Sequence, residues 1–200
     1  MILLAFRSAT FSWVMSFRNW WNGPFFMKRA FFLDRDGVIN RNAAEGDYIL
    51  RWEDVEILPD VTEAIAIIKH AGFDTVIVTN QRCVAKGLIS EAELESIHAR
   101  MREELARAGA AIDAIYYCPH EAEPPCRCRK PKIGMLLDAA HDRGIDLSAS
   151  WMVGDSQKDI EAGAEAGCST VHIAGGGKKS SRKANLTAAN LLEAVKKILT

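Results

Sequence analysis

The sequence carries almost no net charge. Its 25 lysines and arginines stand against 26 aspartates and glutamates over 200 residues, a formal balance of −1. That excludes a general electrostatic affinity for nucleic acid or anionic lipid. Long apolar runs are also lacking: Arg7 and Arg18 interrupt the most apolar stretch, so nothing approaches the roughly 18 residues that a membrane span requires. Cysteine is scarce and odd in number, at five, which argues against a disulfide framework and for a reducing, cytoplasmic setting. There is no internal repeat. What remains is ordinary for a soluble globular chain, with 48% hydrophobic and 26% charged residues. The length suits one compact core.

The first 26 residues differ from the rest. They hold Phe6, Phe11, Trp13, Phe17, Trp20, Trp21, Phe25 and Phe26, and no acidic residue. No apolar segment there is followed by a small-residue cleavage site, so a secretory signal fits poorly. Residues 1–26 are expected to be an upstream extension, with Met27 the natural start and 27–200 the organised domain.

From Lys28 onward, strand-like and helix-like segments alternate. Ala30–Leu33 is a short apolar run ending in Asp34, and Val76-Ile77-Val78 lies within a second run, Asp74–Thr79. Further strands are expected at Ile112–Tyr117, Trp151–Val153 and Thr170–Ile173. Asp60 with Glu63, and Ser90 with Glu93, have capping-box spacing at the starts of two helices. Val61, Ala64, Ile65 and Ile68 form the stripe of the first, which Gly72 ends. Leu94, Ile97, Met101 and Leu105 form that of the second. Helices near Ile133–Asp142, over Asp159–Ala166 and through Leu199 complete the pattern. The alternation predicts a Rossmann-like, three-layer α/β domain with a mostly parallel sheet.

Ligands of such sheets bind beyond the carboxyl ends of the strands. The residues expected there are Asp34, Thr79-Asn80, Cys118 and Gly154-Asp155. In Asp34-Arg35-Asp36-Gly37-Val38-Ile39-Asn40, two carboxylates leave a strand at i and i+2, and Gly37 permits a sharp turn. Carboxylates so close repel unless a cation or a shared proton intervenes. Magnesium is the usual cation where phosphates are handled.

These residues carry a resemblance. The chain is similar to phosphatases of the haloacid dehalogenase superfamily, whose four motifs occur here in order over residues 29–173. They are Asp34–Val38, Thr79-Asn80, Lys130 within Arg129-Lys130-Pro131, and Gly154-Asp155 with Asp159. The resemblance implies that Asp34 is the nucleophile, forming an aspartyl-phosphate. It implies that Asp36 is the general acid and then base. Thr79 and Lys130 would stabilise the charge on the transferring phosphoryl group. Magnesium would be held by Asp34, the backbone carbonyl of Asp36, and Asp155. Asp159 would orient Lys130 or a metal-bound water, or simply occupy the favourable N-terminal turn of a helix.

Cys118-Pro119-His120, followed by Cys126-Arg127-Cys128, supplies three thiolates and one imidazole. These make a complete tetrahedral zinc set with no open position, which points to structure rather than catalysis. The segment has few apolar side chains, so zinc would supply its folding energy. Of the other histidines, His70, His98, His141 and His172 are read as surface or core residues. Cys168 is read as a small core residue.

A zinc loop leading into Arg129-Lys130-Pro131 resembles the subfamily whose members act on a heptose bisphosphate or on histidinol phosphate. There the loop takes the place of a large cap domain, and Arg129 contacts substrate. The stretch Thr79-Asn80-Gln81-Arg82-Cys83-Val84-Ala85-Lys86-Gly87 resembles the heptose branch, which makes Asn80, Gln81 and Arg82 further candidate substrate contacts. The five-residue gap between His120 and Cys126 resembles the histidinol branch, so both substrates stay open, with the heptose bisphosphate in the lead. Arg82-Cys83 departs from the small Ser-Gly pair usual in the heptose enzymes. The expected partner is a small phosphorylated metabolite, with no nucleic acid and no membrane, and the expected state is a monomer. A DNA 3′-phosphatase remains a minor alternative. It rests on Arg127, Arg129, Lys130 and Lys132 with Lys178, Lys179, Arg182 and Lys183, a set without interleaved aromatics. Gly175–Lys179 fails the spacing of a P-loop, because His172 stands where glycine is needed, and is read as a surface linker.

Overall fold

The computed structural model describes residues 27–175 and 183–199. The expected extension at 1–26 lies outside the described residues. So do Lys178, Lys179 and Arg182 of the basic tail, and all of the 175–179 linker but Gly175.

Among the described residues, six strands and five helices follow in the order β1 (Ala30–Leu33), α1 (Val61–His70), β2 (Asp74–Asn80), α2 (Glu91–Arg107), β3 (Ala114–Cys118) and α3 (Gly134–Arg143). Then come β4 (Trp151–Gly154), α4 (Gln157–Glu165), β5 (Ser169–Ile173), β6 (Leu186–Ala188) and α5 (Leu191–Leu199). The strands form one sheet in the order β3-β2-β1-β4-β5-β6, and every pairing is parallel. A parallel sheet is covered on both faces, which is why its strands read as apolar runs. All four residues of β1 are fully buried, and successive side chains enter opposite cores. Phe31 and Leu33 join Ile77, Val153 and Val171 under α1 and α5. Phe32 joins Val76, Val78 and Met152 under Met135 and Leu136 of α3 and Ala162 of α4. Each such side chain contributes roughly 1.5–3 kcal/mol on burial. Among the described residues, the connection from β1 to α1 contains a one-turn 3-10 helix at Trp52–Asp54 and no larger helix or sheet.

Ser90 and Glu93 cap α2 reciprocally: Glu93 N donates to Ser90 Oγ at 3.2 Å, and Ser90 N donates to Glu93 Oε2 at 2.8 Å. Asp60 does not do the same for α1. Its backbone is left-handed, at φ 63°, and its side chain makes no cap bond. A capping side chain reaches the first-turn amides from extended backbone, and Asp60 lacks that geometry. β3 begins two residues later than expected, because Ile112 is spent on the core before pairing with β2 starts at Ala114. β6, the sixth strand, was not expected: at three residues it is too short to show a period of two.

Candidate active site

The carboxyl ends of β1, β2 and β4 meet at one edge of the sheet. Asp34 follows β1 directly, and its backbone N–H donates to Val153 O of β4 at 2.9 Å. A cleft of about 350 Å³ opens there, lined among others by Asp34, Asp36, Thr79, Arg129, Lys130 and Asp155. A larger cavity of about 420 Å³ lies alongside and is lined mainly by apolar groups such as Val38, Leu58 and Ile173. It shares Asn42 and Asp155 with the cleft but none of Asp34, Thr79 or Lys130, so the smaller cleft holds the chemistry.

Lys130 is the buried centre of the cleft, 3% exposed. Its Nζ donates to Asp34 Oδ1 at 2.8 Å and to Val78 O at 2.7 Å, and it pairs with Asp159 Oδ1 at 2.6 Å. One ammonium thus serves two carboxylates. Burial raises the Asp34 carboxyl to about 7, against the lowering pull of Lys130 and with the support of Asp159 and Asp36. Burial opposes the Lys130 charge, but the two carboxylates outweigh it and hold the ammonium above its usual range. Asp159 also accepts from Ser156 N at 3.0 Å and Ser156 Oγ at 2.7 Å at the start of α4. The helix-terminal place and the lysine-orienting place foreseen for Asp159 are therefore both occupied. Gly154 makes this possible, because a Cβ there would overlap the Asp159 side chain.

The Asp36 carboxylate is turned into a second polar cluster. Arg35 donates to it from Nε and Nη2 at 3.0–3.1 Å, Asn40 Nδ2 at 2.9 Å and Gln81 Nε2 at 3.0 Å. Burial pushes Asp36 up, but Arg35 and these hydrogen bonds outweigh it and hold the carboxyl below its usual range. Arg35 is itself buried, 1% exposed, and its Nη1 lies 3.3 Å from His98 Nε2. Burial and the adjacent guanidinium bring the His98 imidazole down to about 3, so it is neutral and accepts from Arg35.

The donor sets fit two metals of different kinds. Oxygens of Asp34, Asp155 and Asp159 lie within 4.8 Å of one another. Asp159 is taken up by Lys130 and Ser156, which leaves Asp34 and Asp155 as the anionic ligands of a hard cation. Asn42 Nδ2 steadies Asp155 Oδ2 at 2.9 Å. The Asp36 side chain is not part of this group, so only its backbone carbonyl is left for a metal. In the 118–131 loop, Cys118 Sγ lies 3.5 Å from Cys126 Sγ and 3.6 Å from His120 Nδ1. Cys128 Sγ lies 3.2 Å from His120 Nδ1 and 3.3 Å from Cys126 Sγ. A tetrahedron with 2.3 Å zinc–sulfur bonds has edges of about 3.8 Å, so the four donors fit a closed site of that type. Burial works against a Cys126 thiolate, but hydrogen bonds from Cys128, Arg129 N–H and Cys118 outweigh it and bring the thiol down to about 6.

The remaining expected residues fall in different places. Asn80 lines the cleft, but its amide is bound to the Lys130 backbone, accepting from Lys130 N at 3.0 Å and donating to Lys130 O at 3.1 Å. Arg129 also lines the cleft, tied by Nη1 to His120 O at 3.0 Å and by its backbone N–H to Cys126 Sγ at 3.3 Å. Gln81 lies beneath the cleft, 3% exposed, facing Asp36 and Thr79. Arg82 lies outside the cleft lining, with Nη2 on Tyr48 OH at 2.9 Å and Nε 3.5 Å from Glu121. Of the described residues in the basic set of the nucleic-acid alternative, Arg127 pairs with Asp138 at 2.8 Å and Lys130 is buried. Sequence reasoning missed Arg35, Asn40, Asn42 and His98. Only the placing of Arg35 inside the first motif, and of Asn40 two residues beyond it, hinted at them.

A parallel sheet with a nucleophile-type aspartate after β1, a buried lysine before Pro131 and an acidic pair after β4 defines a hydrolase of the haloacid dehalogenase type. The family model described as HAD-hydrolase-like matches residues 127–197. Among curated relatives, the D-glycero-β-D-manno-heptose-1,7-bisphosphate 7-phosphatase of Pseudomonas aeruginosa is 43% identical over 141 residues, 70% of this chain and 78% of its own length. That of Bordetella bronchiseptica is 40% identical over 156 residues, 77% of this chain and 86% of its own. The crystal structure of the D,D-heptose 1,7-bisphosphate phosphatase from B. bronchiseptica, complexed with magnesium and phosphate, superposes with a TM-score of 0.78 at 34% identity. The match covers 86% of this chain and 98% of that one. The chain belongs to this family of phosphoric monoester hydrolases, the heptose-bisphosphate phosphatases of the haloacid dehalogenase superfamily.

Proposed function

We propose that the protein hydrolyses the 7-phosphate of D-glycero-β-D-manno-heptose 1,7-bisphosphate through an aspartyl-phosphate on Asp34. The observation that carries this reading is the Asp34–Lys130–Asp159 triad beside Asp155, in a chain so similar to enzymes named for that substrate. An Asp34 oxygen attacks phosphorus as the bond to the sugar oxygen breaks, and Asp36 gives that oxygen a proton. Water then attacks the aspartyl-phosphate, Asp36 takes the proton back, and phosphate leaves. Held low by Arg35, Asn40 and Gln81, Asp36 is well suited to the second, basic half. The incoming phosphate dianion adds negative charge beside it and favours the protonated form needed in the first. Thr79 is assigned to the phosphoryl oxygens through its hydroxyl. Lys130, whose three N–H groups are held by Asp34, Asp159 and Val78 O, is assigned to them through its charge beside Asp34, the electrostatic work that dominates this chemistry. Magnesium, when bound by Asp34, the Asp36 carbonyl and Asp155, supplies further positive charge against the same oxygens. Arg129 is assigned to substrate, with zinc on Cys118, His120, Cys126 and Cys128 stiffening the segment that carries it. Asn80 and Gln81 are reassigned from substrate contacts to holding Lys130 and Asp36.

The test is phosphate release from the heptose bisphosphate, histidinol phosphate and a 3′-phosphorylated oligonucleotide, side by side, with Asp34→Asn as the control. The expected result is loss of one phosphate from the heptose bisphosphate and only trace release by Asp34→Asn, with the fold retained. Turnover of histidinol phosphate alone, or of the oligonucleotide alone, refutes the substrate. Substantial turnover by Asp34→Asn refutes the nucleophile.

A further inference from the structure

Gln81 and Cys83 are buried, 3% and 0% exposed, Cys83 among Ile89, Leu94 and Ile97. The Gln81 amide nitrogen donates twice, to Asp36 Oδ2 at 3.0 Å and to Thr79 Oγ1 at 2.8 Å. A carboxamide has two ends of nearly the same shape and opposite polarity, so its orientation decides what both partners can do. With nitrogen inward, Thr79 Oγ1 accepts from below, and its own O–H is left to donate into the cleft that Thr79 lines. With oxygen inward, the amide would repel the ionised Asp36, draw the Thr79 proton down, and trap the Asp36 proton whenever one is present. The working orientation points the carbonyl away from the cleft, where a buried acceptor needs a donor. Cys83 Sγ lies 3.7 Å from Gln81 Oε1. Burial raises the Cys83 thiol above its usual range, so the sulfur keeps its hydrogen.

We propose that Cys83 is a positioning residue: its S–H donates to Gln81 Oε1, sets the polarity of that amide, and so aims the Asp36 carboxylate and the Thr79 hydroxyl at the substrate. The proposal rests on the reading of Asp36 as the proton donor to the leaving group.

A role confined to stability would lower turnover of all substrates alike. A role through the general acid depends on the leaving group, because a good leaving group needs no proton. The experiment measures kcat/KM for a series of substituted phenyl phosphates in the parent, Cys83→Ala, Cys83→Ser and Asp36→Ala. Cys83→Ala is expected to lose about tenfold more on the poorest leaving groups than on p-nitrophenyl phosphate, where only the Thr79 contribution is lost; this is a fraction of a full general-acid effect because Arg35 and Asn40 still hold Asp36. Cys83→Ser, which keeps a donor, is expected to follow the parent. Asp36→Ala is expected to steepen the leaving-group dependence further. If Asp36→Ala leaves that dependence unchanged, the reading of Asp36 is wrong. If Asp36→Ala steepens it while Cys83→Ala does not, or if Cys83→Ser behaves as Cys83→Ala, the positioning role of Cys83 is wrong. Should Cys83→Ala not fold by circular dichroism, Gln81→Met removes both ends of the amide at similar bulk. An unchanged dependence in that variant overturns the proposal equally.

Discussion

Replacing Lys130 by methionine removes a buried cation while keeping most of the side chain's volume. The structure shows what is left behind: two carboxylates, Asp34 and Asp159, each previously within 2.8 Å of the ammonium. Breaking a buried ion pair from one side costs about 3–5 kcal/mol. The loss depends on pH through Asp34, whose carboxyl sits at about 7 in the fold against 3.8 unperturbed. Between those values the folded state holds the proton more tightly than the unfolded one, so this group's contribution to stability falls as pH rises through the window. Without Lys130 its carboxyl moves higher still, because the cation that lowered it is gone. At pH 5, Asp34 is neutral and only the pairing with Asp159 is lost, about 3 kcal/mol; at pH 8 the loss moves toward 5 kcal/mol. For a domain of this size each kcal/mol is about 2–4 °C in Tm, so about 6–12 °C is expected at pH 5 and more at pH 8. Thermal melts of parent and Lys130→Met in magnesium-free buffer at both values measure this directly. A drop smaller at pH 8 than at pH 5, or below about 3 °C at both, refutes the claim that Lys130 neutralises both carboxylates.

Cys126→Ser is expected to bind no zinc and lose about a hundredfold in activity through displacement of Arg129 and Lys130, with its far-UV circular dichroism little changed. The parent is expected to hold about one zinc per chain. Zinc-free Cys126→Ser working at the parent rate refutes the loop's organising role. Gly37→Ala places a Cβ at φ +85°, overlapping Asp155 Oδ2 and 2.6 Å from Asn42 Nδ2. Activity is expected to fall about a hundredfold with a weakened magnesium response; parent-like magnesium titration refutes the placing of Asp155.

The chain's architecture was legible wherever a local pattern has one physical cause. β1 and β2 are buried on both faces, so Ala30–Leu33 and Val76–Val78 show unbroken apolar runs, and the polar residues that end them stand out. Ser90 and Glu93 read correctly because a capping box is contained in four residues. Asp60 and Glu63 have the same spacing and fail, since the chain leaving Pro59 reaches Asp60 in left-handed backbone, which spacing does not encode. The candidate site divides the same way. Asp34, Thr79, Lys130 and Asp155 announce themselves as strand-end or motif residues. His98 looks like any helix histidine until α2 is packed, when it meets the Arg35 guanidinium at 3.3 Å. Gln81 follows the second motif and invites a substrate contact; its depth below the cleft is a tertiary fact.

The double hydrogen bond between Asn80 and the Lys130 backbone separates the root of the 118–131 loop from its tip. Gln81 N on Cys118 O at 2.8 Å and Ala85 N on Pro119 O at 3.1 Å fasten the incoming strand in the same way. Ala122, Glu123, Pro124 and Pro125 project from between these anchorages and are exposed. The molecule therefore offers an interchangeable tip on a fixed mount. Sequences grafted at 122–125 would change the exposed tip while the ammonium keeps its place in the cleft.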